Sequence, residues 1–472
     1  MKKLLSVLIV CMLAIGTLSG CGGKKAEYNT LTWYLPGETP KDLALVEAEV
    51  NKIIEPKIGA KVKFVYLDSG AYDEKMNMMM ASRTPFDLCF SGWVNTYSRG
   101  VSVGGFLKLN DYLDKTPALK ESIPEYAWKA VGVGDGDIYA VPNLQIYAMW
   151  QALYITKEYA DKYGLDTTTV KQPEDLVPFL EKIRDNEPDV YPYSPGLYPW
   201  CEYDSSQVFA GIGDIRVKNV DDNAKVYLAY ETEEYRRGVK ALRSFYEQGF
   251  IRKDIASAAS DKTSAKQTVV TQGAYKPGAE YDISKTDRGE VYAIPIGEPC
   301  LSQEMALQTL TAISVTTKNP EKALKLLELV NTDEELYHLI VHGIEGKHYE
   351  TLEDGHIRVL NKDYGFHNSG WYFGNQFNSL VMEGKDIDIW EQMAEVNESA
   401  IVSKLYGLTI DTSSITNEIA NISAVVSEFS GLRNGTVDPD ATLKAFEEKM
   451  KNAGIDKVVE EAQKQIDEYI AK

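Results

Sequence analysis

Residues 30–67 read TLTWYLPGETPKDLALVEAEVNKIIEPKIGAKVKFVYL, and the succession of patterns in this stretch decides the fold. Thr30 to Leu35 has the aromatic and β-branched content of a strand. Thr39-Pro40-Lys41-Asp42 predicts a helix start, with Thr39 as cap and Pro40 at the first helical position. Leu43, Val46, Val50 and Ile53 then share one helical face before Pro56 and Gly59 stop it. Lys61 to Leu67 alternates polar and apolar, the period of a strand. Tyr72 to Ser82 reads as a second helix and Phe86 to Ser91 as a third strand. This β-α-β-α-β order predicts a mostly parallel sheet with helices on both faces. Ligands of such sheets bind beyond the carboxyl ends of the strands. Those ends are Tyr34-Leu35-Pro36-Gly37, Asp68-Ser69-Gly70 and Ser91-Gly92-Trp93.

Further along, the turn-rich Val131-Gly132-Val133-Gly134-Asp135-Gly136-Asp137 precedes a strand, Ile138 to Val141. Pro142-Asn143 follows as a crossing point between two lobes, and Ile294-Pro295-Ile296 as a second. The segment between them is mixed α/β and rich in tyrosine and proline. A strand over Leu310 to Val315 leads to a helix capped by Asn319 and opened by Pro320, with Ala323, Leu324, Leu327 and Val330 on one face. Thr332 and Glu335 form a capping box for a helix that Gly343 ends. Two amphipathic helices around Gly454 form the tail.

The N-terminus carries an export signal: Lys2 and Lys3, an apolar run from Leu4 to Gly16, then Leu18-Ser19-Gly20-Cys21. The apolar run is shorter than the roughly 20 residues a spanning helix needs. Its end looks like a bacterial lipobox, in which Cys21 is diacylated and becomes the first mature residue. Two acyl chains would hold the protein at a membrane surface. Residues 22–27 are then a short tether.

The 472 residues are 44% hydrophobic and carry a net charge of −20, which becomes more negative when Lys2 and Lys3 leave with the signal. Such a chain is a poor binder of nucleic acid, whose affinity rests on cations that neutralise phosphates. A neutral ligand such as a sugar is compatible with it. Beyond the signal and Cys21 the cysteines are Cys89, Cys201 and Cys300, an odd number without a C-x-x-C pair, so no disulfide framework is indicated.

All five histidines lie between His338 and His367. His338, His342 and His348 have the spacing of a metzincin zinc site, but Leu339 stands where the glutamate base belongs and the glycine comes one place late. The plainer reading puts His338 and His342 in the last turns of a helix, where positive charge is favourable. Asp135-Gly136-Asp137 opens like a calcium loop yet lacks the distal glutamate, and reads as a hairpin turn. Acidic pairs such as Asp221-Asp222 and Glu233-Glu234 do not by themselves point to a glycosidase.

The aromatic residues are more informative. Trp33-Tyr34 closes the first strand, Trp93 follows the third, and Tyr147 and Trp150 come after the first crossing. Tyr191, Tyr193, Tyr198 and Trp200 form a proline-spaced cluster. Tyr275 follows a glycine, and Trp371-Tyr372-Phe373 sits between glycines. Flat rings suit the C–H faces of pyranoses, while Asn, Asp and Glu pair the hydroxyls.

With these residues placed, the chain resembles the extracellular solute-binding proteins of family 1, the carbohydrate type of ABC importers. Within them it is closest to the lipoprotein branch with a DUF3502 C-terminal region. The resemblance is carried by the lipobox, Arg83-Thr84-Pro85-Phe86-Asp87 running into Ser91-Gly92-Trp93, and Asn319-Pro320-Glu321-Lys322-Ala323. Thr332-Asp333-Glu334-Glu335, Gly343-Ile344-Glu345-Gly346-Lys347-His348-Tyr349 and Gly374-Asn375-Gln376-Phe377 complete it.

The resemblance implies an α/β, two-lobed, type II periplasmic-binding-protein-like fold with a multi-strand hinge and the ligand in the cleft. Crossings are expected near Pro142, Pro295 and 331–343. The implied organisation is 1–20 signal, 21–27 tether, 28–141 plus 296–331 N-terminal lobe, and 142–295 plus 332–472 C-terminal lobe. Positions similar to sugar-contacting ones are Tyr34, Trp93, Asn143, Tyr275 and Trp371, to which the aromatic reading adds Trp150. The implied function is capture of an oligosaccharide and delivery to an ABC permease. The protein would be a monomer, anchored through Cys21 on the outer face of a Gram-positive cell membrane. No catalysis, cofactor or metal is expected. The rival readings are a surface-anchored glycan hydrolase and a zinc-binding lipoprotein using His338, His342 and His348.

Overall fold

The structure, a computed structural model, describes residues 29–196, 205–209, 212–219, 223–257 and 267–471. The export signal, Cys21, the tether, Tyr198, Trp200, Cys201 and Asp221-Asp222 lie outside the described residues.

The opening stretch folds in the order its patterns predict. Strand β1 (Thr30–Pro36) pairs in parallel with β2 (Lys61–Leu67) and with β3 (Leu88–Gly92). Helices α1 (Leu43–Ile58) and α2 (Ser69–Ala81) make the crossovers. Two details differ from the prediction. Helix α1 starts at Leu43 with Asp42 at the cap, not at Thr39-Pro40, and it carries Pro56 in its last turn before Gly59 ends it at φ +62°. The buried face is Val46, Val50 and Ile54, so the register of four replaces the predicted Ile53.

Two more strands complete the first sheet, in the order β2, β1, β3, Thr309–Ile313, Ala140–Pro142, with the last two joints antiparallel. A second five-stranded sheet runs Ile401–Val402, Val291–Leu301, Ala148–Thr156, Thr268–Tyr275, Tyr191–Tyr193. Its long central strands are antiparallel. A smaller sheet is built from Ser205–Phe209, Ile212–Lys218 and Val226–Leu228. Each large sheet has its own buried core. Trp33, Phe90, Leu310 and Val330 belong to one, and Leu153, Ile183, Phe245, Leu443 and Ile466 to the other. This is the expected two-lobed α/β architecture.

The crossings are only partly where they were expected. The chain does leave the first sheet after Pro142 and enters the second at Ala148. Ile294-Pro295-Ile296, however, is not a crossing. These residues pair with Leu153, Ala152 and Gln151 inside the second sheet, and the chain returns to the first lobe only between Leu301 and Thr309. Pro295 is tolerated within the ladder, whose register slips between Ile296 and Cys300. Nor is 331–343 a crossing. Helix Glu334–His342 packs on α1, and Leu336, Tyr337, Ile340, Val341, Tyr364 and Phe373 are part of the first core. The chain from 332 to 373 therefore belongs with the first lobe, against the expected boundary, because its apolar face completes the core that α1 begins. The cap of that helix is Asp333, whose carboxylate accepts from the Leu336 N–H at 3.1 Å, and not Thr332.

Other expectations hold. Gly132–Val133 and Asp137–Ile138 form an antiparallel hairpin around Asp135-Gly136. Pro320–Thr332 is a helix with Asn319 at its cap, and the tail helices are Pro439–Asn452 and Ile455–Ile470. Cys89 is fully buried, and burial pushes its thiol far up.

Candidate functional site

The carboxyl end of β3 is built to present one aromatic ring. Gly92 lies so close to the next strand that a Cβ would sit 1.8 Å from the Gln308 carbonyl oxygen. The Trp93 N–H donates to that same oxygen at 3.1 Å. Asn95, two residues on, is buried in a left-handed conformation at φ +52°. Its N–H donates to Asp73 (3.0 Å), its Nδ2 to the Phe90 carbonyl (3.0 Å), and its own carbonyl accepts from Ser91 Oγ (2.7 Å). Asparagine tolerates this conformation better than most residues, and here its side chain also closes the turn. The outcome is a rigid loop with Trp93 44% exposed at its tip, its ring 6.3 Å from Phe90.

Phe90 connects Trp93 to a second pair. Trp371 and Tyr372 stack at 4.1 Å and 22°, and Phe90 lies 6.2 Å from the first and 5.3 Å from the second. Asn143 fixes this platform from beneath. It is buried, its Nδ2 donates to the carbonyls of Trp371 (3.2 Å) and Tyr372 (3.0 Å), and its Oδ1 accepts from Thr311 (3.0 Å). With both amide hydrogens and the oxygen engaged by protein, Asn143 holds the platform and offers no hydrogen-bonding hydrogen to a ligand.

A separate aromatic pair stands on the second sheet. Trp150 and Tyr275 are register partners on adjacent strands, with rings edge to face at 4.9 Å. The Tyr275 hydroxyl donates to Glu280 at 3.4 Å, and burial, then the Glu280 carboxylate, raise its pKa.

Of the six expected ligand-contacting residues, the structure thus groups Trp93 with Trp371 on the first lobe and Trp150 with Tyr275 on the second. Tyr34 joins neither. Its ring lies edge-on to Phe86 at 6.0 Å, beside Asp87, so strand alternation turns it away from the Phe90 group. Tyr372, Phe90 and Asn95 were missed. The run Trp371-Tyr372-Phe373 contained the first, but the other two reveal their role only through distant partners.

A crevice of about 760 Å³ also opens between the lobes, lined by Tyr97, Ser102 and Leu307 on one side and Ile410, Asp411 and Gln465 on the other. Neither aromatic pair lines it. Helix Tyr97–Ser102, on its first-lobe side, follows the loop that Cys89 and Ser91 anchor, whereas the Trp371–Tyr372 platform packs on the Phe90 face. The crevice is therefore distinct from the aromatic site.

The histidines point in different directions. The Nε2 of His338 faces the Asn378 carbonyl at 2.7 Å, and that of His348 faces Asp42 at 3.1 Å. His342 spans His367 and Ser379 at 2.8 and 2.9 Å. Among the described residues no group of three or more potential ligand side chains could hold a metal ion.

Comparison with known proteins agrees with this architecture. Residues 44–336 match the family "Bacterial extracellular solute-binding protein", and residues 404–471 match "Domain of unknown function (DUF3502)". The chain belongs to the bacterial extracellular solute-binding proteins. A carbohydrate ABC transporter substrate-binding protein of Streptococcus pneumoniae is 30% identical over 97% of this chain and 95% of its own. Lipoprotein LipO of Bacillus subtilis is 24% identical over 86% of this chain and 88% of its own. Among solved structures, the N-glycan transport solute-binding protein NgtS of S. pneumoniae superimposes with a TM-score of 0.85 at 29% identity, covering 94% of this chain and 99% of that one. The same protein in complex with Man1GlcNAc gives 0.76, and with Man5GlcNAc 0.71, at unchanged identity. The fall is therefore a difference in arrangement among the structures of one relative. Solute-binding proteins of this family capture ligands without transforming them.

Proposed function

We propose that this solute-binding protein captures an oligosaccharide between its lobes and hands it to the permease of an ABC importer. The observation that carries the reading is the platform of Trp371 stacked on Tyr372, flanked by Phe90 and Trp93 and fixed by Asn143. Partly buried, stacked rings beside the exposed Trp93 suit pyranose rings better than they suit ions or peptides. The Trp150–Tyr275 pair supplies a second aromatic contact on the other lobe, so a ligand of several sugar units would engage both. The glycan-bound structures of NgtS, and the carbohydrate transporter relative, support this ligand class. Because the chain superimposes better on one NgtS structure, at a TM-score of 0.85, than on the two described as glycan complexes, the arrangement described here is read as the open one, which closes on ligand.

Cys21 would be the lipid-bearing residue, and the short tether after it would keep the monomeric binding lobes next to the membrane of a Gram-positive cell. The lobes themselves are assigned as 29–142 with 309–373, and 148–301 with 401–471, the intervening segments serving as the hinge.

The test is calorimetry against a panel that includes Man5GlcNAc, a malto-oligosaccharide and a fructo-oligosaccharide, with and without chelator. Binding of at least one sugar in the micromolar range or tighter, unaffected by chelator and followed by no hydrolysis product, is expected. Silence towards every sugar would reject the ligand class. For the anchor, cells fed an alkyne-labelled fatty acid should label the wild-type protein and not Cys21→Ala, which should appear in the medium.

A further inference from the structure

His342 and His367 meet Nδ1 to Nδ1 at 2.8 Å inside the first lobe, with their rings stacked at 5.1 Å and 25°. His342 is fully buried, and its other nitrogen lies 2.9 Å from Ser379 Oγ. Two ring nitrogens at this distance share a single proton, one donating and the other accepting. A further proton would go to an outer nitrogen, either the His342 Nε2 beside Ser379 or the His367 Nε2, which is buried without a partner, and would leave a charge on this largely buried pair. Proton uptake therefore favours opening of the pair to water.

The neighbourhood contains nothing that would welcome that proton. His338, on the same helix as His342, lies with its ring 6.3 Å away and its Nε2 on the Asn378 carbonyl. Tyr349 packs at 5.8 Å from the following hairpin, with Glu345 beside it. On the other side stands His348, whose Nε2 is paired with Asp42, and Asp42 is also held by Lys347 at 2.9 Å. Tyr364 lies 5.6 Å from His348, and the Lys41–Asp363 pair sits further out at the surface. Among the described residues no carboxylate reaches His342 or His367. Burial, then the neighbouring imidazoles, hold His342 well below the ordinary histidine range. Burial, then His348, lowers His367 to about 4.

The pair has a mechanical position. Residues 364–373 are fastened to helix Glu334–His342 by the Tyr364 hydroxyl on the Ile340 carbonyl (2.8 Å), the Phe366 N–H on Val341 (2.6 Å) and the Tyr337 hydroxyl on Gly370 (3.0 Å). His367–His342 is the one fastening in this set that a change of pH can break. The Tyr372 N–H, bonded to the Ser369 carbonyl at 3.1 Å, carries the fastening on to the Trp371–Tyr372 platform.

We propose that His342 and His367 are positioning residues for the Trp371–Tyr372 platform, and that proton uptake by this pair frees the platform and weakens sugar binding in acid. The proposal rests on the reading of the platform as a sugar site. It makes capture strongest in neutral medium and couples ligand release to acidification.

The experiment compares the wild-type protein with His367→Phe and, as a second variant, His367→Gln. Affinity for Man5GlcNAc or the best sugar of the panel is measured at about pH 7.5 and about pH 5, together with ligand-free amide exchange over residues 364–373, corrected for intrinsic rates. The wild type should lose about tenfold in affinity at the lower pH and lose protection in that segment, while His367→Phe should change about twofold or less. Wild-type affinity and protection that are the same at both pH values would overturn the proposal, as would a full pH effect surviving in both variants. No binding of any sugar at either pH would instead reject the sugar-site reading. The exchange measurement needs no sugar and still decides the role of the pair: unchanged protection rejects it, and protection lost in the wild type alone upholds it.

Discussion

At the scale of single residues, the aromatic rings depend on the backbone and polar positions that hold them. Gly92→Ala would place a methyl group 1.8 Å from the Gln308 carbonyl, a backbone atom that cannot swing aside. The strand pair would have to shift, at a cost of about 1–3 kcal/mol. Urea unfolding should show that loss, with weaker sugar binding because Trp93 follows directly. Asn143→Ala leaves two carbonyls and the Thr311 hydroxyl without the partner that now joins them. Unsatisfied buried groups cost about 1–3 kcal/mol each at most, so a drop in stability of that order is expected, and calorimetry should show a larger loss of affinity than for Tyr34→Ala. The histidine pair gives a stability prediction of its own. His367 is depressed in the folded protein, so the unfolded chain binds the proton better. Its stabilising contribution is full above the ordinary pKa of 6.5 and is lost as pH falls from there towards about 4. Thermal melts across that window should fall more steeply for the wild type than for His367→Phe.

At the scale of elements, sequence and structure part where a helix's role depends on what it packs against. The helix beginning at Glu334 was legible from its apolar spacing, but its lobe was not, since an apolar face does not say which core it completes. Its cap was misplaced by one residue because Thr332 and Asp333 are both good caps. The structure uses Asp333, which also pairs with Lys57 at the end of α1. Asp333→Ala should therefore cost about 0.5–2 kcal/mol in urea unfolding, and Thr332→Ala much less. The long strand Val291–Leu301 shows the same limit. The sequence pattern puts a crossing at Pro295, yet that residue pairs with Ala152 inside the sheet, just before a register slip.

At the scale of the whole molecule, two separately buried cores are joined by three connections, at 143–147, 302–308 and after Phe373. Few covalent links between two rigid bodies favour hinge motion, and each lobe carries its own aromatic pair. If one oligosaccharide spans both pairs, its addition should shrink the radius of gyration in solution scattering, whereas a monosaccharide should shrink it less. Trp371→Ala and Trp150→Ala should each abolish the compaction while leaving the free protein's scattering unchanged; compaction in the absence of either ring would show that the pairs do not act together.

The sequence by itself determined the alternation of strands and helices, the α/β class, the aromatic character of the strand ends and the family. These are properties of local periodicity and short motifs, and period-2 and period-3.6 patterns are written in neighbouring residues. Only the tertiary structure decided that Asn143 is bonded to Trp371, Tyr372 and Thr311, that Tyr34 turns away from Phe90, and that Tyr372 and Phe90 pack with Trp371. It also decided that 332–373 joins the first lobe and that His342 finds His367. Each of these depends on partners tens or hundreds of residues apart. Which side of a strand faces the site, and which polar atoms are already bonded, is fixed only when those partners pack together.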